Sequence, residues 1–179
     1  RPAAYFLENV VGLLNHQSGD KSTIEIVEQN LRALGYSFEL FKVKASDYGV
    51  PQLRPRVFMI GFRDPQAAAA FKAPEKRDLA FTMNDVFGGQ VNREIGYTLR
   101  VGGRHSGLAD RRNWDTYLVD GEVRRLTSVE GMKMQGFPPE FGFPESVSET
   151  QAMKQLGNSV AVPAIKAFAE KIAEALGNA

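Results

Sequence analysis

Cysteine is absent from this 179-residue chain. That absence excludes a disulfide framework, a thiolate metal site and any cysteine nucleophile supplied by these residues themselves. Histidine is scarce, with His16 and His105 alone, too few to build the nitrogen and sulfur ligand set of a zinc site. No metal is expected. Apolar runs of the roughly 20 residues that span a membrane are missing, as is a signal-peptide pattern, so the sequence reads as that of a cytoplasmic protein without a membrane partner. An excess of one charge is lacking too. Twenty-two Lys+Arg against 21 Asp+Glu leave a net charge of +1, which excludes nucleic-acid binding by bulk charge and requires local clusters instead. Two stretches qualify. Lys42, Lys44, Arg54, Arg56 and Arg63 face Asp47 alone, and Arg100, Arg104, Arg111 and Arg112 face Asp110 alone. The chain begins at Arg1 rather than Met, as a processed or truncated terminus would.

What is present builds a packed core. The 43% hydrophobic and 24% charged content is that of an ordinary globular domain, which rules out disorder and fibrous repeats. The continuously apolar run Ala3 to Leu7 ends in Glu8-Asn9. It reads as a strand buried on both faces of a parallel sheet, emerging at the end where ligand chemistry collects. Ser22 and Glu25 form a capping-box pair ahead of Ile24, Val27, Leu31 and Leu34 at helical spacing, with Gly35 as the stop. Ser37 to Val43 and Arg56 to Phe62 are aromatic and β-branched, and Gly49, Pro51 and Pro55 make the join between them a rigid loop. This order predicts an α/β fold. From Asp64 to about Asp120, paired glycines break the chain into short strand and loop. Thr127 with Glu130 and Ser148 with Gln151 give two further capping boxes, the second ahead of a break at Gly157. A last helix over 163–176 places Ile165, Phe168, Ala169 and Ile172 on one face and needs a surface to dock on.

Four strings occur in order: FLENV at 6–10, PQLRPRVFMIGFR at 51–63, RLTSVEGMKMQGFP at 125–138 and QLGNSVAVP at 155–163. Together they resemble the later motif blocks of DNA cytosine-5 methyltransferases, and the variable insert between the second and third resembles that family's target-recognition domain. The resemblance implies part of a Rossmann-like, S-adenosylmethionine-dependent methyltransferase domain plus a small irregular, β-rich recognition domain. Residues 1–80 would be the C-terminal half of the catalytic domain, 81–140 the recognition region, and 141–179 a return segment with its helix packing on the catalytic domain. The earlier blocks have no counterpart, neither a glycine-rich cofactor loop nor a proline-cysteine loop.

The same resemblance implies roles. Glu8 matches the glutamate that holds a flipped cytosine at its ring nitrogen while a cysteine attacks carbon 6. Taken alone, without the string around it, Glu8 reads as a surface residue ending a strand. Arg54 and Arg56 alternate along an extended segment, so they project to one side. In the family both arginines of this string sit at the active site, whereas a lone pair of this kind is usually solvated. Gln52 is expected to contact DNA or a neighbouring loop. Asn158, Ser159 and Val160 match the block that lines the S-adenosylmethionine site, although a turn with local caps explains the same residues. Glu130 and Gln135 invite a catalytic reading that capping displaces, Met132, Met134 and Phe137 read as core, and Arg125 matches an arginine often buried in a polar network. Arg100, Arg104, His105, Arg111, Arg112 and Asn113 are candidates for base or phosphate contacts, against the reading of an incidentally basic loop. Trp114 and Tyr117 read as core.

Expected partners are duplex DNA and the missing N-terminal half with its cysteine, as a separate chain or the rest of a longer protein. Self-association through an exposed apolar edge is the further expectation. The biological setting implied is bacterial restriction-modification at the nucleoid. Two other readings stay open, a DNA-binding subunit or degenerate remnant without catalysis, and a tRNA cytosine methyltransferase relative.

Overall fold

The computed structural model describes residues 1–102 and 106–177. The chain forms two compact units. The first comprises residues 1–43, 55–75 and 166–179, and the second residues 44–54 and 76–165. This division differs from the expected linear one, because the loop at 44–54 and the segment 141–165 both group with residues 81–140.

In the first unit, β1 (Ala4–Val10) runs into a 3-10 turn (Val11–Asn15). A small hairpin of β2 (Gln17–Ser18) and β3 (Lys21–Ser22) precedes α1 (Thr23–Ala33), β4 (Glu39–Lys44), β5 (Pro55–Phe62) and α2 (Pro65–Ala70). The three longer strands form one sheet in the order β1-β5-β4. Here the structure corrects the sequence reading. Strand β1 pairs with β5 antiparallel, Ala4 opposite Phe62 and Val10 opposite Arg56, and it leaves Leu7 41% and Val10 53% exposed. An apolar run tells that a strand has cover on offer, not the direction of its neighbour. The α1 cap differs as well. Ser22 makes no side-chain cap bond, and the entry is held instead by the Thr23 amide on the His16 carbonyl and by Thr23 Oγ1, 2.7 Å from His16 Nδ1.

The register puts Phe6, Glu8 and Val10 on one face with Arg56, Phe58 and Ile60. Phe168 covers part of that face, with its ring 5.0 Å from Phe58 at 86° and 6.1 Å from Phe6. The last helix, α6 (Val162–Gly177), therefore finds a docking surface within the chain itself. Phe41 and Phe71 extend the aromatic cluster. Gly61 is required by a close approach. A Cβ there would meet the Ser37 carbonyl and stand 2.6 Å from Tyr5 Cζ.

The second unit holds α3 (Met83–Phe87), β6 (Thr116–Val119), β7 (Glu122–Arg125), α4 (Ser128–Met134) and α5 (Glu149–Asn158). Strands β6 and β7 form a hairpin turning at Asp120-Gly121, both with positive φ. Helices α3, α4 and α5 each begin with a complete capping box, Thr82 with Asp85, Thr127 with Glu130, and Ser148 with Gln151. Such a cap contributes about 1 kcal/mol, a large share for helices of five and seven residues. The core gathers Met83, Phe87, Leu99, Trp114, Tyr117 and Leu156, among others. Met134 is buried at 0%, whereas Met132 and Phe137 lie at the margin of this core. Helices α4 and α5 are tied by Glu149, whose carboxylate accepts from the Ser128 amide at 2.7 Å and hydroxyl at 2.6 Å.

Candidate active site and nucleic-acid interface

Glu8 and Arg56 meet across the β1 and β5 pair. Glu8 lies opposite Phe58, so Arg56 is its diagonal neighbour on the same face, a separation that long side chains bridge. Arg56 Nε stands 2.6 Å from Glu8 Oε1, with side-chain exposures of 13% and 28%. Glu8 Oε1 is itself shut off from solvent. Arg56 Nη1 also donates to the Pro55 carbonyl at 2.9 Å. The result is a half-buried carboxylate beside a guanidinium whose orientation is set at both edges.

Arg54, which the resemblance sets at the active site together with Arg56, has partners of its own. It is 2% exposed and belongs to the second unit. Its guanidinium donates to the carbonyls of Leu99 at 3.3 Å, Gly157 at 3.2 Å, and Ser159. The latter two lie at the C-terminal end of α5, where helical carbonyls lack intrahelical partners and the dipole favours a cation. Arg54 thus caps α5 and fastens it to the Leu99 segment. Gln52, expected to contact DNA or a neighbouring loop, is 0% exposed and bridges to Gly96 through its backbone, and neither atom of its side-chain amide has a hydrogen-bond partner among the described residues.

Gly157 is not a break. It lies inside α5 and lets the helix touch the chain at Arg100, since a Cβ would stand 2.6 Å from the Arg100 carbonyl carbon. Asn158 is exposed, and Ser159 and Val160 are half-buried. The Ser159 hydroxyl donates to the Leu156 carbonyl at 2.9 Å and lies 3.3 Å from Gln135 Oε1. Gln135, fully buried, completes the network by donating to the same Leu156 carbonyl. The sequence sets a catalytic role for Gln135 aside, and local pattern carries no sign of this bracing one.

Of the candidate DNA contacts within 81–140, Arg100, Arg111 and Arg112 are exposed, while Arg104 and His105 lie outside the described residues. Asn113 is buried at 6% and brackets Thr116, accepting from its amide and donating to its carbonyl at 2.9 and 2.8 Å. It is therefore a loop anchor rather than a base contact. Trp114 is 1% exposed and donates from its indole to the Gly102 carbonyl at 2.9 Å. Arg125 is exposed rather than buried, and Glu130 serves the α4 cap while holding Arg124 at 2.8 Å. Asp110, whose part the sequence did not reveal, accepts from Arg112 through both the amide and the guanidinium. Those bonds hold its carboxyl below the usual carboxylate range. A groove of about 710 Å³ beside α4 and α5, lined by Met132, Phe137 and Phe143 among others, includes none of the candidate site residues.

Comparison with known proteins decides the family. The family model described as C-5 cytosine-specific DNA methylase matches residues 1–101 and 93–174. The chain belongs to the C-5 cytosine-specific DNA methylase family. Among curated relatives, the Type II methyltransferase M.HpaII of Haemophilus parainfluenzae is 35% identical over 99% of this chain and 62% of its own length. M.SsoII of Shigella sonnei is 34% identical over 98% and 54%, and M.MspI of Moraxella sp 31% over 96% and 46%. This methylase-family chain thus spans about half the length of the curated relatives it matches. Among solved structures, the methyltransferase EhMeth of Entamoeba histolytica aligns with a TM-score of 0.75 at 15% identity, covering 98% of this chain and 64% of that one. The Dnmt2 methyltransferase of S. pombe aligns at 0.69, also at 15% identity, covering 98% and 67%. At that identity the likeness is one of fold, and it supports the α/β methyltransferase architecture expected from the sequence.

Proposed function

We propose that this chain is the target-recognising, C-terminal portion of a DNA cytosine-5 methyltransferase that modifies a flipped cytosine in a specific duplex site. The observation that carries the reading is the Glu8 and Arg56 pair, 2.6 Å apart on one sheet face. A cytosine removed from its stack offers a ring nitrogen and a neighbouring carbonyl oxygen. Glu8 faces the nitrogen and Arg56 the oxygen, an arrangement in which a carboxyl group and a guanidinium each find their complementary atom. When a thiolate adds to carbon 6, electron density moves toward the ring nitrogen, and Glu8 is placed to share a proton there. Arg56 keeps that carboxyl oriented in the absence of DNA. Arg54 contributes at one remove, by holding α5 against the Leu99 segment.

The thiolate must come from outside these 179 residues, because they contain no cysteine. The chain alone is therefore inactive in methyl transfer, and its partner is the remaining N-terminal half of the enzyme, separate or covalently joined. Strand β1 offers an edge for it. Within the three-stranded sheet β1 pairs only with β5, and Leu7, Val10 and Val11 are exposed there. An uncovered apolar edge favours association, including self-association of the isolated chain. S-adenosylmethionine supplies the methyl group when bound. The exposed Asn158 amide and the half-buried Val160 fit the margin of a ligand with polar and apolar parts. The Ser159 hydroxyl is instead engaged internally, on the Leu156 carbonyl in the last turn of α5.

The test is transfer of a labelled methyl group from S-adenosylmethionine to duplex DNA, by this chain alone and with the polypeptide encoded upstream. Labelling is expected only with both. Labelling by the chain alone would remove the need for an external cysteine, and none in either case would favour a DNA-binding remnant.

A further inference from the structure

Arg112 is exposed over 81% of its side chain, yet it is not free to wander. Its Nε and Nη2 donate to the two oxygens of Asp110 at 3.3 and 3.1 Å, and its own amide donates to Asp110 Oδ1 at 2.7 Å. The carboxylate thus takes the lateral edge of the guanidinium. The terminal edge, formed by Nη1 and the remaining Nη2 proton, points away from that pairing because the fork is planar and rigid.

The loop beneath is fastened at several points. The Asp110 amide bonds the Gly107 carbonyl, the Asn113 amide bonds the Asp110 carbonyl, and Thr116 Oγ1 bonds the Ser106 carbonyl. Trp114, buried in the core, roots the loop's far side. Other arginines of this unit spend their donors differently. Arg124 uses Nη1 on the Phe87 carbonyl and Nη2 on Glu130, and Arg93 lies 3.8 Å over the Tyr97 ring with Nε on the Ile95 carbonyl.

A guanidinium with its lateral edge clamped and its terminal edge open presents two parallel donors in a fixed plane. Guanine offers two acceptors, O6 and N7, at matching spacing in the major groove, and no other base offers that pair. Because the clamp is made before binding, little side-chain freedom is lost on contact. We propose that Arg112, braced by Asp110, is the residue through which the recognition unit demands a guanine at one position of its DNA site, with neighbouring Arg111 serving as a sequence-independent phosphate contact. This rests on the reading of the second unit as the DNA-recognising part.

The experiment selects duplexes from a random-sequence library with the full chain, alone and combined with the polypeptide encoded upstream, then sequences the retained fraction. Wild type should enrich a site containing guanine. Arg112→Lys keeps the charge but not the planar fork, and should lose the preference at a single position, roughly ten- to a hundred-fold, while retaining affinity for unselected DNA. Asp110→Ala should relax the same position. Arg111→Ala should weaken all sequences alike and lower the salt dependence by about one counterion. Trp114 fluorescence confirms that each variant is folded. A guanine preference that survives Arg112→Lys overturns the assignment, as does an Asp110→Ala variant that weakens every sequence equally. A wild-type chain with no sequence preference in either form would instead remove the recognition reading itself, and the assignment with it.

Discussion

Replacing Arg54 by Met separates a fold role from a site role. Met keeps the apolar stem as far as the position of Nε, but it leaves the carbonyls of Leu99, Gly157 and Ser159 without the donor that now reaches all three. A buried acceptor left unsatisfied costs about 1–3 kcal/mol, so three together approach 3–9 kcal/mol. Against that stands the relief of no longer burying a charge in a side chain 2% exposed, worth several kcal/mol. The balance is a loss of about 3 kcal/mol, a large part of the 5–15 kcal/mol typical of a domain. Trp114 is the one tryptophan of the chain and is buried in the core of the same unit, so its fluorescence follows urea unfolding directly. With a slope near 2 kcal/mol per molar, the midpoint should fall by about 1.5 M. Arg54→Lys reaches fewer of the carbonyls and should fall about half as far. Midpoints of both variants within about 0.2 M of wild type would refute the clamp, and an unchanged midpoint with lost DNA binding would return Arg54 to the site.

Other expectations can be checked alongside. Glu8→Gln and Arg56→Ala should each lower methyl transfer by the reconstituted enzyme by about 10²- to 10⁴-fold. Their side chains are only 13% and 28% exposed, so removing either partner should also lower the unfolding free energy by about 1–3 kcal/mol, as circular dichroism melts would show. Gly157→Ala sets a gain in helix propensity of about 1 kcal/mol against a Cβ placed 2.6 Å from backbone at Arg100. Backbone on both sides leaves little room to relax, so the overpacking cost of about 1–3 kcal/mol wins, and the urea midpoint should drop. Burial pushes the Tyr5 phenol up to about 12, and its hydroxyl donates to the Ser37 carbonyl at 2.9 Å. A raised folded value stabilises the protonated form, so this contribution is complete below the unfolded value near 10 and fades as the pH rises toward 12. Thermal melts from pH 8 to 11 should show a decline that Tyr5→Phe flattens.

Local patterns carried much of the fold. Spacing and turn residues placed α1, β4, β5 and the capping boxes at Thr127 and Ser148 close to where they form, because such signals act over three or four residues. What escaped was set at longer range or hidden in short elements. Helix α3, five residues with its Thr82 and Asp85 box, lies in a stretch whose glycines suggest only short strand and loop. The antiparallel pairing of β1 depends on a partner some fifty residues on, and hydrophobicity carries no sign of strand direction. For the site, the resemblance led to Glu8 and Arg56, and the register explains how they meet. The match of PQLRPR to the family string points Arg54 and Gln52 toward a ligand, and a string match carries no information on burial. Their burial follows from acceptors and neighbours 45 to 105 residues away in the case of Arg54, which no local window contains. Asp110 was visible only as an offsetting charge, since its pairing depends on a loop conformation rather than on composition.

The tripeptide Arg54-Pro55-Arg56 is where one compact unit ends and the other begins, and this bears on exchanging segments between relatives. A graft of residues 81–140 alone would leave the host's counterpart of Arg54 facing a foreign carbonyl in place of that of Leu99, while the α5 carbonyls stayed native. A transplant that carries 44–54 together with 76–165 moves the clamp and its three acceptors as a set. It also places the cut beside Pro55, one residue before the arginine that must remain with Glu8.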